Sequence, residues 1–107
     1  MRTDAWKDTE RAVAAKLGGQ RVPITGRQRG DVPDVQHPWL SIEVKHRQLL
    51  PAWLHDAMSQ AIASVRGNQL PVAILHQAGC KHDDDIVCVR LGDWVEWFGD
   101  VDPSAPR

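Results

Sequence analysis

The stretch Pro33-Asp34-Val35-Gln36-His37-Pro38-Trp39-Leu40-Ser41-Ile42-Glu43-Val44-Lys45 decides how the chain is read. From Leu40 to Lys45 the residues alternate, with Leu40, Ile42 and Val44 on one side and Ser41, Glu43 and Lys45 on the other, the two-residue period of a strand. Glu43 and Lys45 therefore share a face. His37-Pro38 supplies a turn, so residues 34–36 are expected to pair antiparallel with 40–45 in a hairpin centred on Pro38-Trp39. That register sets Asp34 opposite Glu43, with Cβ atoms about 5 Å apart. Two carboxylates so close repel each other unless a cation lies between them.

Upstream, Thr3 or Asp4 can cap a helix that runs to Leu17, where Gly18-Gly19 stops it. Trp6, Val13, Ala14 and Leu17 recur at helical spacing and define its expected buried face. Glu10 borders that face and so needs a partner. Residues 20–30, with Pro, two Gly and Arg21, Arg27 and Arg29, read as an irregular or edge segment and a candidate phosphate-contacting loop.

Downstream, Pro51 opens a second helix whose apolar face, Trp53, Leu54, Ala57, Met58, Ala61, Ile62 and Val65, ends at Gly67-Asn68. Val72 to Leu75 and Ile86 to Val89 are apolar runs of strand length, expected to be buried central strands. Asp93 is expected to cap a last helical turn carrying Trp94, Val95, Trp97 and Phe98, followed by a disordered tail over 100–107. The resulting order, α-β-β-α-β-β-α, suits an α/β or α+β fold with a mixed central sheet flanked by helices. A single domain over 1–99 is the expectation.

The bulk properties agree with one globular unit: 107 residues, 42% hydrophobic and 25% charged. No run approaches the roughly eighteen apolar residues of a membrane span, and Met1-Arg2-Thr3-Asp4 lacks the apolar core of a signal peptide, so a cytoplasmic protein is expected. The net charge of -1 argues against a protein that coats nucleic acid. The charge is nevertheless uneven, with nine Lys and Arg against six Asp and Glu in residues 1–47, and four against eight in the remainder. A basic half of this kind can meet phosphates. A small domain forms a long binding groove most readily as two copies, which makes a homodimer the expectation.

Phosphodiester hydrolysis needs an activated water, counter-charge for the reacting phosphate oxygens and help for the leaving oxygen. Magnesium, which prefers oxygen ligands, suits a site made of carboxylates and a main-chain carbonyl. Asp34 and Glu43 fit as ligands, the carbonyl of Val44 fits as the main-chain ligand, and Lys45 on the same face would position or deprotonate the attacking water. Glu10 would join them if the first helix packs over this edge.

Pro33-Asp34, eight residues, then Glu43-Val44-Lys45 resembles the PD-(D/E)XK nuclease signature. With Glu10 ahead of it and Gln60 in the helix after it, the order is similar to that of the archaeal and phage type of Holliday-junction resolvase, over roughly residues 5–75. The resemblance implies a restriction-endonuclease-like core. It also implies a homodimer that binds branched DNA and cuts two strands with magnesium, for which manganese would substitute. It makes Asp34 and Glu43 metal ligands, Lys45 the catalytic lysine, Glu10 an additional acid and Gln60 a supporting polar residue. Ser41, Arg27, Arg29 and Arg47 are the candidates for DNA contact. The alternatives are a nicking or end-processing phage nuclease of the same fold and a non-catalytic DNA-binding or interaction module.

Plainer readings stand beside these. Glu10 suits an ordinary ion pair, and His46 a surface or phosphate-contacting histidine. His37, His55, His76 and His82 show no HxxxH or HExxH spacing, and Cys80-Lys81-His82 is too short a cluster, so no zinc site is expected. Asp83-Asp84-Asp85 lacks the spacing of a calcium loop and reads as a solvated turn, while Cys80 and Cys88 read as packing residues. Trp6, Trp53 and Trp94 sit at core spacings, leaving Trp39 and Trp97 for base stacking or a dimer seam.

Overall fold

Gly18-Gly19 stops the first helix as the glycines require. The computed structural model describes residues 5–22 and 34–99, and within it α1 spans Ala5–Leu17. Gly18 has φ +72°, and the Gly19 amide donates back to the Ala14 carbonyl at 2.8 Å, a left-handed termination that satisfies a carbonyl of the last turn. The caps expected at Thr3 or Asp4, the loop with Arg27 and Arg29, and the tail lie outside the described residues.

The chain divides into two compact units, one holding the residues up to Gln48 and the other Leu49–Phe98. In the first, β1 (Gln20–Arg21) pairs antiparallel with β2 (Val35–Gln36), Gln20 facing Gln36 and Arg21 facing Val35. Both strands contact α1, and Val35 is fully buried at their centre. Gly19 lies so close to β2 that a Cβ there would stand 2.5 Å from the Gln36 carbonyl oxygen and 2.8 Å from Val35 Cγ1.

The strand expected over 40–45 is reduced to one antiparallel bridge, Val35 to Ile42. Its register is the one that faces Asp34 with Glu43. Pairing stops there because Asp34 leaves the ladder: its amide donates to the Ile42 carbonyl at 3.0 Å while its carboxylate takes the Val44 amide. Burial still alternates along the segment, with Leu40, Ile42 and Val44 partly buried and Ser41, Glu43 and Lys45 exposed.

In the second unit α2 (Ala52–Ala63) follows Pro51 at its N-cap and ends at Ser64, short of Gly67. The Ser64 hydroxyl donates to the Gln60 carbonyl at 2.9 Å, a local bond that competes with continuing the helix. Met58 is its buried residue. Trp53, expected in the apolar face, is 58% exposed, because the packed stripe of so short a helix is narrower than the apolar pattern. β3 (Ala73–Leu75) and β4 (Ile86–Cys88) form an antiparallel hairpin, pairing Ala73 with Cys88, Ile74 with Val87 and Leu75 with Ile86.

These are not the buried central strands that the apolar runs suggest. The hairpin has one face against α2, where Ala73 is buried, and Ile74 and Val87 on the other remain 55% and 59% exposed. A two-stranded ribbon has no neighbours to cover both faces, and an apolar run alone does not reveal how many strands flank it. α3 (Leu91–Phe98) begins before Asp93, which therefore lies in its first turn and is not its cap. Trp94 packs on Phe98 with ring centroids 4.5 Å apart.

The architecture is α+β, with three helices and two small antiparallel sheets among the described residues. Among the described residues the strands pair as these two antiparallel ribbons. Among the described residues no helix is long and apolar enough to cross a membrane.

Candidate functional site

The residues singled out around the hairpin fall in the first unit, and Asp34 organises them. Its Oδ2 accepts a hydrogen bond of 2.7 Å from the Val44 amide. The carboxylate thus stands in for a main-chain acceptor and is fixed against the middle of Glu43-Val44-Lys45. Its own amide is bonded to Ile42, and its carbonyl accepts from the Val22 amide at 2.9 Å. Three bonds to two neighbouring segments leave the Asp34 backbone and Oδ2 little freedom.

Glu43 and Lys45 flank the Val44 amide and are both exposed, on the side opposite the partly buried Val44. Among the described residues neither Asp34 nor Glu43 has a cationic partner. Asp34 and Glu43 offer hard carboxylate oxygens with no basic side chain among the described residues to neutralise them, the donor chemistry that magnesium prefers. Ser41 is exposed on the same alternation, and the Arg47 guanidinium donates to the adjacent His46 carbonyl at 3.0 Å.

Glu10 is 7% exposed, and its charge is met by Arg21, whose Nε donates to Oε1 at 2.7 Å. The partner that the helix border demanded is therefore a guanidinium from β1. Trp6, one helical turn before Glu10, lies with its ring centroid 5.6 Å from the Arg21 guanidinium. This explains why Trp6 is 45% exposed where a core position was expected: its face covers a cation instead of apolar side chains.

Two ties hold α1 beside the acidic stretch. Thr9, next to Glu10, shares a 2.6 Å hydrogen bond with Nδ1 of His46, next to Lys45. Arg21, which holds Glu10, lies opposite Val35, next to Asp34. His37 braces the turn: Nδ1 accepts from the amides of Trp39 and Leu40 at 3.3 and 3.2 Å, so Nε2 carries the proton and donates to the Leu17 carbonyl at 2.8 Å. Sequence reading assigned His37 only to a turn. Its bond to the end of α1 depends on β2 passing that helix terminus, which no local spacing announces.

Gln60 belongs to α2 in the second unit and is exposed. A cleft of that unit, about 830 Å³ between the end of α2 and α3, is lined by Arg90, Asp93, Glu96 and Trp97 among others and contains none of Glu10, Asp34, Glu43, Lys45 and Gln60. Cys80 and Cys88 are free, and Cys80 is exposed, so it does not serve as a packing residue.

A second constellation was missed by sequence spacing. His76, His82 and Asp85 each bring a ligand-type atom within 4.8 Å of the others. No known protein family, curated protein or solved structure matches the chain.

Proposed function

We propose that this chain is a magnesium-dependent, structure-selective DNA endonuclease with a restriction-endonuclease-like core, most similar in kind to a Holliday-junction resolvase. The observation that carries the reading is the bond from the Val44 amide to Asp34. It ties the first acid of the signature to the Glu43-Val44-Lys45 triplet, with Glu43 and Lys45 exposed at the same edge.

In this reading Asp34, Glu43 and the Val44 carbonyl would hold a magnesium ion, which would supply charge stabilisation to the scissile phosphate. Lys45 positions or deprotonates the attacking water. Glu10 acts as a positioning residue through Arg21, holding α1 against β1 beside the acids. Ser41 and Arg47, with Arg27 and Arg29 earlier in the sequence, contact the phosphate backbone. A homodimer supplies two such edges for paired cuts in the cytoplasm of the cell, as a phage or mobile-element enzyme would make.

The test is incubation of the protein with a labelled four-way junction, linear duplex and single strand, with magnesium or EDTA, beside Glu43→Ala. Paired, magnesium-dependent cuts in the junction, absent from Glu43→Ala, support the proposal. Cutting of all substrates retains the nuclease and removes junction selectivity. Binding to DNA with no cutting of any substrate overturns the enzyme reading in favour of a binding module.

A further inference from the structure

The β3–β4 register, with Leu75 opposite Ile86 as its last pair, makes His76 and Asp85 the next residues to face each other. The chain between them returns through a turn in which the Cys80 amide donates to the Gln77 carbonyl at 3.1 Å. A single 3₁₀ turn, His82–Asp84, follows, closed by the Asp85 amide on the His82 carbonyl at 3.0 Å. In such a turn residues three apart lie above one another. His82 is thereby set over Asp85 from one side while His76 reaches it from across the ribbon.

The outcome is one carboxylate shared by two imidazoles. His76 Nδ1 lies 2.6 Å from Asp85 Oδ1 and His82 Nδ1 lies 3.1 Å from Oδ2. The rings stack at 4.3 Å with 28° between their planes. Asp85 is largely covered, its side chain 14% exposed, whereas His82 is open to solvent at 83%. Two imidazole nitrogens and a carboxylate grouped in this way present three ligand atoms to a divalent cation.

We infer that His76, His82 and Asp85 form a binding site for a zinc-type transition-metal ion. Two imidazoles and a carboxylate suit zinc, cobalt or nickel and do not suit magnesium, which takes oxygen ligands. Tetrahedral ligands on bonds of about 2.05 Å stand about 3.3 Å apart, a spacing between the 2.6 Å contact and the 4.8 Å limit seen here. The exposed side of the site leaves its fourth position to water. Cys80 lines a cleft together with His76 and Asp85. The ion clamps the two arms of the β3–β4 ribbon at the end where their connecting loop begins and returns, and its ligands are not those of the magnesium site proposed on the first unit.

The test uses the whole chain, stripped with EDTA and dialysed, titrated with zinc by calorimetry and with cobalt by visible absorption. The expected result is a single ion per chain, intense tetrahedral cobalt bands, and a rise in melting temperature on adding zinc. His82→Ala and Asp85→Asn should each weaken zinc about tenfold or more, and His82→Ala, at an exposed position, keeps the fold. Asp34→Ala should bind zinc as the parent does. Absence of stoichiometric zinc binding, or zinc binding unchanged in the double variant His76→Ala/His82→Ala, overturns the site. Loss of zinc in Asp34→Ala with retention in His82→Ala overturns it as well and moves the ion to the other unit.

Discussion

The Val44 amide donates to Asp34 Oδ2 at 2.7 Å, so the first acid of the hairpin is anchored to the backbone of the residue between Glu43 and Lys45. Asp34→Asn retains an oxygen that can accept this bond but removes the charge. The expected outcome is loss of cleavage by a factor of about 100 or more, with stability within about 1 kcal/mol of the parent. Asp34→Ala should lose the same activity and about 1–3 kcal/mol, because the Val44 amide is left without its acceptor. Parallel cleavage assays and urea melts separate the two, and an Asn variant that cuts at the parent rate removes Asp34 from the metal site.

Lys45 is exposed and, among the described residues, makes no hydrogen bond. Lys45→Met should leave stability within about 0.5 kcal/mol while reducing cleavage by a factor of about 100 to 10,000. A comparison of cleavage rate with DNA affinity checks it. An equal fall in both would make Lys45 a phosphate contact instead.

Glu10 and Arg21 form an ion pair that solvent barely reaches. Arg21→Met leaves a buried carboxylate unpaired and is expected to cost about 3–5 kcal/mol, whereas the double variant Glu10→Leu/Arg21→Met should recover most of that loss. Denaturant melts test the recovery. Cleavage by the double variant at a rate near the parent's assigns Glu10 to positioning, and a stable but inactive double variant assigns it to the chemistry.

His37 joins the Leu17 carbonyl to the amides of Trp39 and Leu40. His37→Ala should cost about 1–3 kcal/mol in urea unfolding and slow cleavage through a loosened hairpin. A variant as stable as the parent would show that water replaces all of these bonds.

Much of the first unit was legible because its signals are local. Gly18-Gly19 stops α1 by backbone chemistry, and His37-Pro38 places the turn that leaves Val35 opposite Ile42. Alternation set Glu43 and Lys45 on the open side. What escaped depends on chain segments meeting. Arg21 reaches Glu10 only because β1 returns along α1, and Trp6 becomes half-exposed because it covers that arginine. The apolar run at Val72 to Leu75 carries no mark of a ribbon that lacks further strands. His76 and Asp85 are brought together by hairpin register and His82 by a 3₁₀ turn, so a search for helical histidine spacings passes over them.

Two adjacent glycines end α1 for different reasons. Gly18 takes a positive φ with open space where a Cβ would stand, and Gly19 has an ordinary φ but no room beside Gln36 and Val35. In a library randomised at both positions and selected for folded chains, asparagine should therefore recur at 18, since it tolerates the left-handed region. Position 19 should return glycine alone, and a chain carrying alanine there would have to part β2 from the helix end, taking Asp34 with it.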